Sequence, residues 1–97
     1  MIKVIIERQI AQDMESTYES EVKRALKGVM GANGFISGSS YVDINQPHIR
    51  TIITTWDNLA CWNRWYASDL RRTSNYNLNQ LLQQEEKVKV LQVQSLS

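Results

Sequence analysis

Trp56, Trp62, Trp65 and Tyr66 fall within eleven residues, and no other segment matches that aromatic density. Indole rings so spaced can wall a cleft for a flat ligand, or they can simply fill a core. The other groups capable of chemistry are scattered. Arg64, Arg71 and Arg72 form a short basic stripe that could hold a substrate carboxylate; a solvated helix face is the plainer reading. Cys61 has no histidine beside it to activate its thiol and reads as a small core residue. His48, the single histidine, follows Pro47 in a turn and reads as solvated. Glu7 and Arg8 adjoin on a strand, so their side chains point to opposite faces and cannot act as one pair there. One can face a pocket and the other an interface, with solvated or interface ion pairs as the simpler reading.

Composition narrows the classes. Ninety-seven residues make one domain, spanning 1–97. A chain this short buries well under ~70 % of its unfolded surface, so association with a second subunit is a natural source of extra stability. Eleven basic residues stand against ten acidic ones, without a basic run, which argues against nucleic acid as a partner. Apolar runs are only a few residues long, so no membrane span is expected. Glu7 and Arg8 interrupt the first apolar run where a signal peptide would continue. One cysteine excludes an intrachain disulfide and fits a reducing cytoplasm. One histidine and one cysteine far apart give no zinc site, and no metal is expected.

These residues must be positioned by a small set of elements. Met1 to Gln9 reads as a strand with Ile2, Val4 and Ile6 on one face. Asp13 is the expected cap of a helix whose Met14, Tyr18, Val22, Leu26 and Val29 recur at three- and four-residue steps. Glu19 and Lys23 are ordered for a weak pair on its outer face. Gly31 and Gly34 should end it. Phe35 to Ile44 and His48 to Trp56 read as strands joined by the turn Asp43–Pro47. Asp57 is the expected cap of a second helix running to about Leu82, with Ser74–Asn77 as a weak patch that could kink it. Val88 to Val93 alternate as a last strand. The order β-α-β-β-α-β predicts an α+β, ferredoxin-like fold with a four-stranded antiparallel sheet and both helices on one face. Ile5, Ile52 and Leu91 are then expected on the opposite face, where a second copy of the sheet is the simplest cover.

With these elements in order, the chain resembles the antibiotic biosynthesis monooxygenase family of small dimeric α/β-barrel proteins. The resemblance rests on Ile5-Ile6-Glu7-Arg8, on Gly34-Phe35-Ile36-Ser37-Gly38, on Trp56, on Trp62-x-x-Trp65-x-x-Ser68, and on Val88 to Val93. It covers nearly the whole chain. It implies two such folds packed sheet to sheet, each with a pocket between sheet and helices. Some members oxidise phenolic polyketide intermediates to quinones without metal or flavin, others bind and break down haem, and many have no established activity. The fold alone therefore fixes little about the chemistry.

Carried onto this chain, the resemblance makes Trp65 the tryptophan beside the pocket, with Trp56 and Trp62 assigned to the core. Haem-degrading relatives place an axial histidine ten residues after that tryptophan, where this chain has Asn75, and an asparagine on the first strand, where it has Glu7. Asparagine is a poor ligand for haem iron. No cofactor is expected. A cofactor-free oxidation needs groups that hold a phenol or its anion while oxygen reacts, and asparagine, indole, phenol and guanidinium groups serve. Tyr41, Arg50, Trp65, Tyr66, Arg71 and Asn75 are the candidates for lining such a pocket. The expectation is a cytoplasmic homodimer that takes a flat, partly aromatic small molecule, as a cofactor-independent oxygenase or as a non-catalytic binding or stress-related module.

Overall fold

Residues 1–94 are described by the computed structural model. Its centre is β1 (Ile2–Gln9), flanked antiparallel by β3 (Ile49–Trp56) and β4 (Lys87–Gln92), with β2 (Phe35–Val42) outside β3. The sheet order β2-β3-β1-β4 is that of a ferredoxin-like fold. Alternation along β1 sends Ile2, Val4 and Ile6 under the helices, all at most 6 % exposed. Ile10 continues that face beyond the strand, and Arg8 lies between them at 5 % exposure.

Register decides which residues share a face. Ile6 pairs with Ile52, and directly opposed residues point the same way, so Ile52 is buried under the helices at 5 % exposure. The expectation that Ile52 faces away from the helices is thereby overturned; Ile53, opposite Ile5, takes its place. Leu91, opposite Lys3, does lie on that uncovered face. The molecule measures 42 × 33 × 19 Å. Its short axis fits one sheet and one helical layer at ~10 Å each.

Helix α1 (Glu15–Val29) packs Tyr18, Val22 and Val29 onto the sheet. Asp13 does not cap it. Asp13 adopts φ 65° in the preceding turn, Met14 occupies the cap position, and no side chain accepts from the first turn. An aspartate tolerates that left-handed backbone, and the turn uses it there. At the other end Gly34 has φ +84°, and a Cβ added there would collide with Cys61 Sγ and lie 2.6 Å from its Cβ. The bareness of Gly34 thus lets β2 start hard against the next helix.

The expected long second helix is two. α2 (Leu59–Tyr66) is capped by Asn58, whose Oδ1 accepts from Cys61 N at 2.9 Å, rather than by Asp57. α3 (Asp69–Gln80) begins after Ser68, whose backbone is extended at φ −73° and ψ 151°. Ser68 Oγ donates to Trp65 O at 2.7 Å and accepts from Arg71 N at 3.1 Å, closing one helix and opening the next. The weak patch Ser74–Asn77 stays helical. This break re-aims the chain, so that α2 presents Trp62 and Trp65 while α3 presents Arg71 and Asn75.

Candidate functional site

Trp56, fully buried at the end of β3, is the hub of the aromatic cluster. Its Nε1 donates to Thr54 Oγ1 at 3.0 Å, which satisfies the indole inside the core. Phe35 and Trp62 meet it edge-on, with centroids at 5.4 and 5.6 Å, and Trp65 lies tilted at 6.4 Å. Between these indoles, the sheet and α1 lies a cavity of about 60 Å³. Its floor is Ile6, Ile52 and Thr54, and its opposite wall is apolar α1. Trp65 also borders a second, more open cleft of about 230 Å³, together with Cys61, Arg64, Ser68 and Leu70.

One end of the cavity is polar. Arg8 Nε donates to Glu86 Oε2 at 2.9 Å, and Arg71 Nη2 donates to Glu86 Oε1 at 2.8 Å. These three side chains are only 5, 11 and 10 % exposed. Asn75 Nδ2 donates weakly to the same carboxylate at 3.4 Å, and Arg8 Nη1 donates to Tyr18 Oη at 3.3 Å. Burial pushes the Glu86 carboxyl up, but the facing charges of Arg8 and Arg71 and their hydrogen bonds outweigh it, leaving its pKa below the usual value. Glu86 is thus ionised at neutral pH and a poor general base there. The Arg71 guanidinium lies 4.5 Å from the Tyr66 ring centroid and 5.8 Å from that of Trp62.

Of the six candidate lining residues, Trp65, Arg71 and Asn75 border the cavity. Tyr66 is half exposed; it supports Arg71 from outside and borders a larger groove of about 500 Å³ beside Glu86. Tyr41, paired with Thr51, lies with Glu7 on the face away from the helices and so away from the cavity. Arg50 is under the helices but occupied elsewhere. Its Nε donates to Pro47 O at 2.9 Å, its Nη1 pairs with Glu19 at 3.1 Å, and it stacks on Tyr18.

One residue of the polar end, Glu86, escaped sequence reasoning, and of the pair Glu7 and Arg8 it is Arg8 that borders the cavity. Arg8 is buried rather than solvated: strand alternation sends it inward, two residues past Ile6, where it needs a buried carboxylate. Glu86 supplies that group from 78 residues away, in the Gln-Gln-Glu-Glu run that leads into β4. The inward parity of Arg8 was the one available signal. The site does not suit haem, since Asn75 offers an amide turned toward Glu86 and His48 is not among the cavity-lining residues.

Comparison with known proteins places this fold. Residues 1–74 match the family model described as antibiotic biosynthesis monooxygenase. No curated protein matches the chain. Among solved structures, a conserved protein from Methanosarcina mazei Go1 superposes with a TM-score of 0.88 at 17 % identity, covering 96 % of this chain and 92 % of that one. SnoaB, a cofactor-independent oxygenase from Streptomyces nogalater, gives 0.87 at 12 % identity over 98 % and 94 % of the two chains. A protein from Mycobacterium tuberculosis gives 0.86 at 14 % identity over 99 % and 97 %. At these identities the likeness is one of fold.

Proposed function

The chain belongs to the antibiotic biosynthesis monooxygenase family, and from that premise we propose that it binds a flat aromatic small molecule between its indoles and its buried arginines, and oxidises phenolic or quinone-type compounds without a cofactor. The observation that carries the reading is the cavity itself. Apolar walls of Ile6, Ile52 and three indoles close on Arg8, Arg71 and Asn75, which suits a ring system bearing one acidic oxygen. The arginines favour the phenolate over the phenol, and the phenolate is the electron-rich form that reacts with oxygen. Loss of the phenol proton and one ring hydrogen to dioxygen leaves one oxygen atom in the new carbonyl and the other in water. No external reductant is needed.

The cavity of about 60 Å³ is smaller than the ~150 Å³ that holds one benzene. Trp65 lines both it and the second cleft, and on this reading the indole turns aside to join the two volumes around a bicyclic ring. We further read the uncovered sheet face, with Ile5, Ile53, Tyr41 and Leu91, as the seat of a second copy in a cytoplasmic homodimer. Thermal melts with dihydroxynaphthalenes and anthrones, paired with an oxygen electrode, test the function. An oxygenase gives a raised Tm and about one dioxygen consumed per quinone formed, the stoichiometry of the reaction above. A raised Tm without oxygen uptake identifies a non-catalytic binding module. If no compound shifts the melt, the pocket reading falls.

A further inference from the structure

Charge around the cavity's polar end does not cancel. Arg8 and Arg71 contribute two positive charges and Glu86 one negative. Arg50, the other buried arginine on this face, is already matched by Glu19. Glu85 and Lys87 beside Glu86 are exposed, so water screens them. One positive charge is therefore left over at groups roughly nine-tenths buried, an arrangement that costs several kcal/mol unless something pairs with it.

Both arginines line the cavity. Arg8 Nη2 is the one nitrogen of that guanidinium with no hydrogen bond among the described residues. No fully buried side-chain nitrogen among them lacks a partner, so Nη2 is in contact with open space, and Arg8 lines the cavity. Glu86 is not among the cavity-lining residues; it borders the larger groove, which Arg71 also lines. A ligand in the cavity therefore meets the two guanidiniums rather than the carboxylate that they share.

We propose that Glu86 sets the charge of the ligand: with Glu86 in place, the Arg8–Arg71 pair takes a planar aromatic monoanion, bound through one ionised carboxylate or phenolate oxygen group. The inference rests on the pocket reading above and adds to it a preference that shape alone does not supply. A neutral ring leaves the buried charge unpaired. A dianion overshoots it and meets the Glu86 carboxylate within a few ångströms.

Isothermal titration at pH 7 with three probes tests this: 2-naphthoate, the neutral 2-naphthylmethanol, and naphthalene-2,3-dicarboxylate. The wild type should bind 2-naphthoate about tenfold more tightly than the alcohol and more tightly than the dianion. Glu86→Gln, which keeps a hydrogen-bond acceptor and removes the charge, should strengthen 2-naphthoate by about tenfold, reverse the order of mono- and dianion, and leave the alcohol within about twofold. Equal binding of naphthoate and alcohol, or a dianion that binds best to the wild type, overturns the inference while the pocket reading survives. Unchanged naphthoate affinity in folded Glu86→Gln overturns it as well. Binding of none of the three overturns both. The wild-type comparison requires no variant, so it decides the matter even where Glu86→Gln does not fold.

Discussion

Replacing Glu86 with alanine strips two buried guanidiniums of their shared partner. The carboxylate receives charge-assisted hydrogen bonds at 2.9 and 2.8 Å, each worth ~1.5–3 kcal/mol, and breaking a buried pair from one side typically costs ~3–5 kcal/mol. Arg71, 11 % exposed, borders the larger groove and recovers more water there than Arg8 at 5 %. The expected cost is therefore near the lower end, about 3 kcal/mol. In a domain of this size that lowers Tm by roughly 12–24 °C. Urea unfolding followed by tryptophan fluorescence, at fixed protein concentration, measures it. Acidity provides an internal check. The folded-state pKa of Glu86 is lowered, so its stabilisation is fully present above the usual carboxylate range and is lost as pH falls through the folded value. The gap between wild type and Glu86→Ala should narrow as the solution is acidified through and below that range. The paired replacement of Arg8 and Glu86 by methionine should recover most of the loss, because it leaves no buried charge from the Arg8 pair. A cost below about 1 kcal/mol, the scale of an exposed ion pair, or a gap indifferent to acid, would refute the assignment of this cluster as a buried, ionised network.

Trp65 is partly buried whereas Trp56 is fully buried, so Trp56→Ala should cost the full ~3–5 kcal/mol of a core tryptophan and Trp65→Ala clearly less. Trp65→Phe should keep the melt near wild type and weaken aromatic ligands by ~0.5–1.5 kcal/mol; a large melt penalty with unchanged ligand response would place Trp65 in the core. Gly34→Ala puts a Cβ into Cys61 at a positive φ and should cost ~2–4 kcal/mol in thermal or urea melts. Ile5→Asp, on the uncovered sheet face opposite Ile53, should convert a two-subunit species in sedimentation to monomer or unfolded chain. A wild-type monomer at micromolar concentration would remove the dimer from the proposal, since an obligate interface of this kind buries upwards of ~2,000 Å².

What could be read from the chain follows the range of the forces involved. Ile2, Val4 and Ile6 declare a strand because alternation is written in consecutive residues, and Tyr18, Val22 and Val29 declare a helix face for the same reason. The assignment of Ile52 failed because facing depends on register between strands. A shift of one residue exchanges Ile52 for Ile53, and both suit the local pattern equally. Ser68 carried a readable signal, a serine with Asp69 in the following first turn, but the spacing of apolar residues runs on across it. What stops the helix is a hydroxyl that serves Trp65 O and Arg71 N together, a geometry seen only once the chain bends there.

The polar end of the cavity was the least readable part, for a reason that bears on how the site works. Arg8 is drawn inward by the parity of β1, and its neighbours Val4 and Ile6 give no hint of a charge partner. Glu86 reaches it only because β4 pairs with β1 in the register that sets Lys87 against Glu7 and leaves Glu86 at the strand's start. The carboxylate position is therefore an outcome of edge-strand pairing. Any change that slips β4 by one residue would turn Glu86 to the other face and leave both arginines bare. Edge pairing and cavity charge are coupled through that single register. Slippage would show as faster amide exchange along Lys87–Gln92 together with a preference for 2-naphthoate over 2-naphthylmethanol that rises above the wild-type ratio, as bare arginines hold an anion more strongly. A variant that frees β4 and yet keeps the wild-type ratio would separate the two, and would show that the cavity's charge does not depend on the strand that delivers Glu86.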